Sequence, residues 1–185
     1  HRYVINFGQM SEEEARQWPD LMVIVEAKVK PERTRRGADG SYVLRDPLPQ
    51  RWWHYADKRP ALYEAIRGLD RVMVTARVSQ YWAPTFLDAG QVYSEQLIVV
   101  ASASQRLYSI LQSRVHESWF RFFGSSLEER PRYTPSDCFE TFPFPEQLES
   151  NLDLEGTGHE YYEFRAALMV RSDEGLTKTY NRFHD

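Results

Sequence analysis

One cysteine in 185 residues leaves little room for redox or thiolate chemistry. Cys138 cannot form an internal disulfide, and a lone thiol cannot complete a zinc knuckle; the expected setting is a reducing cytoplasm. His54, His116, His159 and His184 lack the paired spacing of metal ligands, so no metal site is expected. No apolar run approaches the roughly 20 residues that a membrane-spanning helix needs, and no signal-peptide pattern opens the chain. Repeats and low-complexity tracts are missing as well. The chain starts without a methionine and stops at Asp185 inside a helical pattern, as expected of a piece of a longer polypeptide.

What is present suits one domain with a substantial core. Aromatic residues make up 14% of the chain. The net charge is −4, yet the charge is uneven. Between Lys28 and Arg77 lie twelve basic and six acidic residues, so this segment carries +6 and the remainder −10. A basic half of this kind can meet phosphate while the acidic half faces solvent or neighbouring domains.

Local patterns give an α+β expectation, with a mixed or antiparallel sheet packed by helices. Residues 4–7 read as a short strand. Ser11 and Glu14 form a capping box that starts a helix over residues 11–18, stopped by Pro19. Leu21 to Val29 reads as a strand or buried segment. Residues 34–50 form a loop with a hairpin around Asp39-Gly40, and a helix runs from Pro60 to a stop at Gly68. Residues 71–79 alternate, with Val72, Val74, Ala76 and Val78 on one side and Met73, Thr75, Arg77 and Ser79 on the other. A second strand is expected over residues 92–101. Residues 104–123 read as one long helix burying Leu107, Leu111, Val115, Trp119 and Phe122. Residues 146–158 read as an acidic linker, followed by a helix over 160–169 with Tyr161, Phe164 and Leu168 on one side. Trp52 and Trp53 are expected in the core, and His116 is expected to be a structural partner rather than a base.

Two stretches carry chemistry. Asp20 with Glu26-x-Lys28 imitates a nuclease pattern in which two carboxylates hold Mg²⁺ and a lysine orients water. Only five residues separate the carboxylates, too few for two strands and a turn. The second stretch is Gly124 to Glu146, GSSLEERPRYTPSDCFETFPFPE, which fits neither a helical nor a strand period. It reads as an ordered loop ending in a Phe-rich anchor of Phe139, Phe142 and Phe144. Glu128, Arg130 and Arg132 are two apart, so an extended backbone points all three one way. Carboxylate and guanidinium are groups that read base edges, Glu accepting from cytosine N4 and Arg donating to guanine O6 and N7. The plainer alternative is a solvated salt-bridge loop.

This region resembles the target-recognition domain of the MmeI-like fused restriction–modification enzymes, of type IIG or IIL. The resemblance rests on DRVMVTARVSQYW (70–82), SRVHESWFRFFGSSLE (113–128) and RPRYTPSDCFETFPFP (130–145). It extends to RYVINFGQMSEEEARQWP (2–19), KPERTRR (30–36) and WWHYADKRPALYEAI (52–66). It implies a duplex-DNA recognition module over residues 1–150, with a linker and the start of a C-terminal helical segment over 151–185. The module would direct adenine methylation, and cleavage, by other domains of the same polypeptide. Base readout is implied for Glu128, Arg130 and Arg132, with further candidates at Arg77, Ser79, Gln80, Ser94, Glu95 and Gln96. Lys30, Arg33, Arg35 and Arg36 are phosphate-contact candidates.

The chain lacks the family's Asn-Pro-Pro-aromatic motif, and FPFP has no Asn to accept the adenine amine proton. It also lacks a Gly-rich loop for S-adenosylmethionine. Neither that cofactor nor Mg²⁺ is expected in this chain, although both are expected in the parent enzyme. Two rival readings remain: a free-standing metal-dependent nuclease built on Asp20, Glu26 and Lys28, and a protein-interaction module without DNA contact.

Overall fold

The computed structural model describes residues 3–127 and 130–184, which form two compact units, 1–61 and 62–185. The first unit is helical with long turns. The strand expected at residues 4–7 does not form: Tyr3 and Val4 are exposed, and Phe7 alone at the end of this segment is fully buried. Helix α1 (Glu12–Ala15) starts on the expected capping box, Glu14 N donating to Ser11 Oγ at 3.2 Å and Ser11 N to Glu14 Oε2 at 2.7 Å. Helix α2 (Pro19–Lys28) corrects the strand reading of Leu21 to Val29. Proline at the first position begins this helix, where its missing N–H costs nothing. Met22 and Val25, three apart, turn inward, whereas Leu21, Val23 and Ile24 face out. The run has no alternation, so its apolarity alone could not choose between the two structures.

Helix α3 (Lys30–Arg33) follows. The expected hairpin at Asp39-Gly40 is present as a bridge between Arg36 and Tyr42, with Gly37 N donating to Ser41 O at 2.8 Å and Gly40 at φ +78°. Phe7, Ala15, Met22, Val25 and Trp52 make the core of this unit, and Trp53 packs on it half-buried. Helix α4 (Pro60–Ala65) joins the two units.

The second unit is built on an antiparallel sheet of order β2-β1-β3, with β1 (Arg71–Ala76) between β2 (Thr85–Asp88) and β3 (Leu97–Val100). The fold is α+β. The alternation in β1 is real, but both faces are covered: Val72 and Val74 pack with Ile66 and Tyr93, and Met73 packs with Phe86, Tyr108 and Leu111. The strand expected over residues 92–101 is confined to β3, and β2 was hidden in a short stretch without alternation.

The long helix expected over 104–123 is two helices, α5 (Gln105–Gln112) and α6 (Arg114–Phe123). Ser113 interrupts them with an extended backbone (φ −69°, ψ 153°), and its Oγ accepts from His116 N at 3.2 Å as the cap of α6. The break resets the inward face. Leu111 is buried as expected, but Val115 and Phe122 are 70% and 80% exposed, and His116 and Phe120 turn inward instead. Trp119, expected in the core, is half-buried with Nε1 donating to Thr141.

Helix α7 (Pro135–Cys138) is a single turn. Most of the expected acidic linker is helical too. Asn151 caps α8 (Leu152–Ser172), its Oδ1 accepting from Leu154 N at 3.0 Å. Two glycines disguised this helix. Gly158 is where α8 crosses α5: a Cβ there would lie 2.1 Å from the Gln105 carbonyl oxygen, so only glycine permits the approach. The inward face holds Gly158, Tyr162 and Arg165, whereas Phe164 is exposed. The buried Arg165 guanidinium donates to Gln112 Oε1, Tyr180 OH and Pro84 O, fastening α8 to α5, to the segment before β2 and to α9 (Leu176–His184).

Candidate nucleic-acid interface

A small hairpin leaves α6 at Gly124. Its strands are β4 (Ser125–Leu127) and β5 (Arg130–Arg132), paired Ser125 to Arg132 and Leu127 to Arg130. A Cβ on Gly124 would sit 2.5 Å from Phe120 O and 3.1 Å from Arg132 O, so glycine lets the hairpin return close to the helix end. Glu128 lies outside the described residues. Arg130 and Arg132 are exposed, with Pro131 half-buried between them, as the two-residue spacing requires.

The hairpin is attached to the segment that follows β1. Val78 bridges Arg132 in antiparallel fashion, Ser79 N donates to Pro131 O at 3.3 Å, and Tyr133 N donates to Arg77 O at 2.9 Å. On its other side, Arg77 N donates to Gln96 O at 2.8 Å. Three segments far apart in sequence therefore lie side by side, each carrying candidate readers. Residues paired across an antiparallel ladder share a face. Arg132 shares a face with Val78, and Arg130 follows two residues away. Arg77 and Ser79 belong to the opposite face with Pro131 and Tyr133. Arg77 is half-buried, with its Nε buried and unpartnered, and Ser79 Oγ accepts from Tyr81 N. Gln80 is exposed just beyond the paired run. Ser94, Glu95 and Gln96 form an exposed turn before β3, where Gln96 N donates to Ser94 Oγ at 3.2 Å. The exposed array is thus Arg130, Arg132, Gln80 and this turn.

Sequence reasoning missed Arg121, whose guanidinium donates to the Gln80 carbonyl at 3.1 Å while held by Glu117 at 2.8 Å. Its position one helical turn after Glu117 was the available signal.

Beneath β5 lies a buried aromatic cluster. Tyr133 stacks on Trp82 with centroids 4.2 Å apart, and His116 Nε2 is 3.1 Å from its hydroxyl. Trp82 Nε1 donates to Leu111 O. Cys138 is also buried here, which pushes its thiol pKa up. Burial pushes His116 down to about 4, from an ordinary value near 6.5. Because the folded value is the lower one, the stabilisation is complete above pH 6.5 and is lost as pH falls through 4. The expected loss over that window is roughly 3 kcal/mol. Urea titrations at pH 7 and pH 4 measure it; the same pH difference in His116→Gln would show that another group is responsible.

The family profile described as "MmeI, target recognition domain" matches residues 1–146. The chain belongs to this family. No curated protein and no solved structure matches the chain. As an MmeI target-recognition domain, it is a DNA sequence-recognition module of a restriction–modification enzyme. The match takes in the first unit, the sheet and the β4–β5 hairpin, and ends before α8.

The phosphate candidates of this target-recognition domain all lie in the first unit. Lys30 Nζ is 3.3 Å from Glu26 and 4.5 Å from the centroid of the Trp52 ring. Arg36 lies over Tyr42 and donates to Gly40 O. Arg33 is half-buried and Arg35 exposed, and neither side chain has an ion pair or hydrogen bond among the described residues. The nuclease-like residues are not gathered: Asp20 and Glu26 stand on one helix, and Glu26 is held by Arg16 at 2.9 Å and by Lys30, which lowers its pKa. Among the described residues, no three His, Cys, Asp or Glu side chains come together as a metal site would need, and no helix is long and apolar enough to cross a membrane.

Proposed function

We propose that this domain reads duplex DNA in the major groove for an adenine-specific methyltransferase carried on the same cytoplasmic polypeptide, with cleavage by a further domain. The carrying observation is the exposed pair Arg130 and Arg132 on a strand fastened beside Gln80 and the 94–96 turn. Guanidinium groups fork onto guanine O6 and N7, and amide and carboxylate groups such as Gln80, Gln96, Glu95 and Glu128 meet adenine edges or the cytosine amine. Arg33 and Arg35, with Lys30 and Arg36 exchanging their present partners, meet phosphates and set register. S-adenosylmethionine and Mg²⁺ belong to other domains. A cleft of about 240 Å³ in the second unit is lined largely by apolar side chains such as Val74, Leu87, Leu97 and Leu176, with no carboxylate among its lining residues.

The isolated chain holds only this half of a DNA clamp. It is expected to bind duplex DNA with a dissociation constant on the order of 10⁻⁴ to 10⁻⁶ M at physiological salt, weakening steeply as salt rises. It is expected to transfer no methyl group from S-adenosylmethionine. Fluorescence anisotropy across a salt series measures the first, and a radiolabel transfer assay the second. Salt-independent or absent binding would favour a protein-interaction module, and nanomolar binding to one sequence would contradict the division of labour between domains.

A further inference from the structure

The readout arginines stand on a strand of three residues whose centre, Pro131, has no N–H to give. A two-stranded hairpin of this size is marginal alone. Base reading nevertheless needs its side chains held within about 0.5 Å and 10–20° of the productive geometry. Something must fix β5, and the next residue is placed to do so. Tyr133 is 3% exposed and follows Arg132 directly. Its ring packs against Trp82 and Phe120, at centroid distances of 4.2 and 5.5 Å, and its backbone N–H is bonded to Arg77 O. Its hydroxyl is hydrogen-bonded to Nε2 of the fully buried His116, at 3.1 Å.

The bond closes in either direction with a neutral imidazole. His116 Nδ1 is buried without a partner. If Nε2–H donated to the tyrosine oxygen, both the hydroxyl proton and Nδ1 would be left unmatched. If Tyr133 O–H donates to Nε2, Nδ1–H and the tyrosine oxygen's lone pairs are unmatched, so each direction leaves one donor and one acceptor without a partner. Both arrangements use a neutral imidazole, in keeping with a pKa pushed down by burial.

We propose that His116 and Tyr133 are positioning residues for base readout: their hydrogen bond sets the twist of β5 and thereby the aim of Arg132 and Arg130. This inference rests on the reading that those arginines contact bases. Losing the bond loosens the strand without removing a charge. Discrimination between target and near-target sequences then falls, while the charge-driven affinity for any duplex stays.

The test uses the full-length polypeptide that carries this domain, selected against a randomised duplex library. Tyr133→Phe keeps the ring stack and removes only the hydroxyl. The His116→Phe/Tyr133→Phe pair removes both polar partners, so that neither is left orphaned should the single variant fold poorly. Discrimination at the position read by Arg132 is expected to fall about tenfold in either variant, within what one bidentate contact supplies. Non-specific affinity and its salt slope should match wild type. Arg132→Ala is the reference. If Arg132→Ala relaxes that position while both tyrosine variants keep it, the positioning inference is overturned and the base-reading assignment stands. If the tyrosine variants weaken all sequences equally with discrimination intact, their role is only structural and the inference is overturned. If Arg132→Ala leaves discrimination unchanged, the base-reading assignment itself fails, and the inference with it.

Discussion

Phe142→Ala is expected to destabilise the domain by about 3–5 kcal/mol, the usual cost of truncating a buried phenylalanine. Phe142 is 8% exposed and sits among rings: His116 at 4.7 Å, Phe144 at 4.9 Å and Trp119 at 5.8 Å between centroids. Pro143 and Pro145 restrict the chain on either side of Phe144 and limit how far the site can collapse. The cavity would open against α6, the helix that supplies His116. Guanidinium denaturation measures the effect as a lower midpoint with an unchanged slope. A variant that unfolds like wild type but loses only DNA binding would show that the Phe-rich segment touches DNA rather than anchoring the loop.

How much of this was legible in the sequence depended on whether the signal was local. The Ser11–Glu14 capping box, the Asp39-Gly40 hairpin and the alternation of β1 are each decided within a few residues and each is present, although α1 ends at Ala15 rather than residue 18 and β1 at Ala76 rather than residue 79. Leu21 to Val29 is an apolar run without alternation, which suits either structure, and Pro19, the expected stop, is the first residue of α2. Residues 104–123 keep one helical period on both sides of Ser113, so nothing in the spacing revealed that the phase resets there; serine as a cap was the one available hint. Glycines at 156 and 158 disguised α8, and the reason for Gly158 is a neighbouring helix, not the local chain. The candidate site divides in the same way. The common direction of Arg130 and Arg132 follows from spacing alone. Their placement beside Val78 and Ser79, and the Tyr133–His116 bond beneath them, arise from pairings between distant segments that no window of sequence contains.

The largest functional change is expected from exchanging Glu128 and Arg130. The two are separated by one residue in sequence, close enough to address the same or adjacent base pairs. A carboxylate suits the cytosine amine and a guanidinium suits guanine O6 and N7, so together they fit one G·C pair. Glu128→Lys with Arg130→Asp reverses both characters and should move the preferred base at one position. A wrong base costs about 1–3 kcal/mol per good bidentate contact, roughly a 5- to 150-fold change in preference. Arg33 and Arg35 are untouched, so the remaining positions and the rate on the new site should be largely preserved.

Methylation-site sequencing of the full-length enzyme and of this double variant tests directly whether the β4–β5 hairpin reads DNA. A methylated sequence altered at a single position, with the other positions kept and turnover near normal, is the predicted result. An unchanged sequence with normal turnover would contradict it and leave Glu128 and Arg130 as a solvated salt-bridge loop.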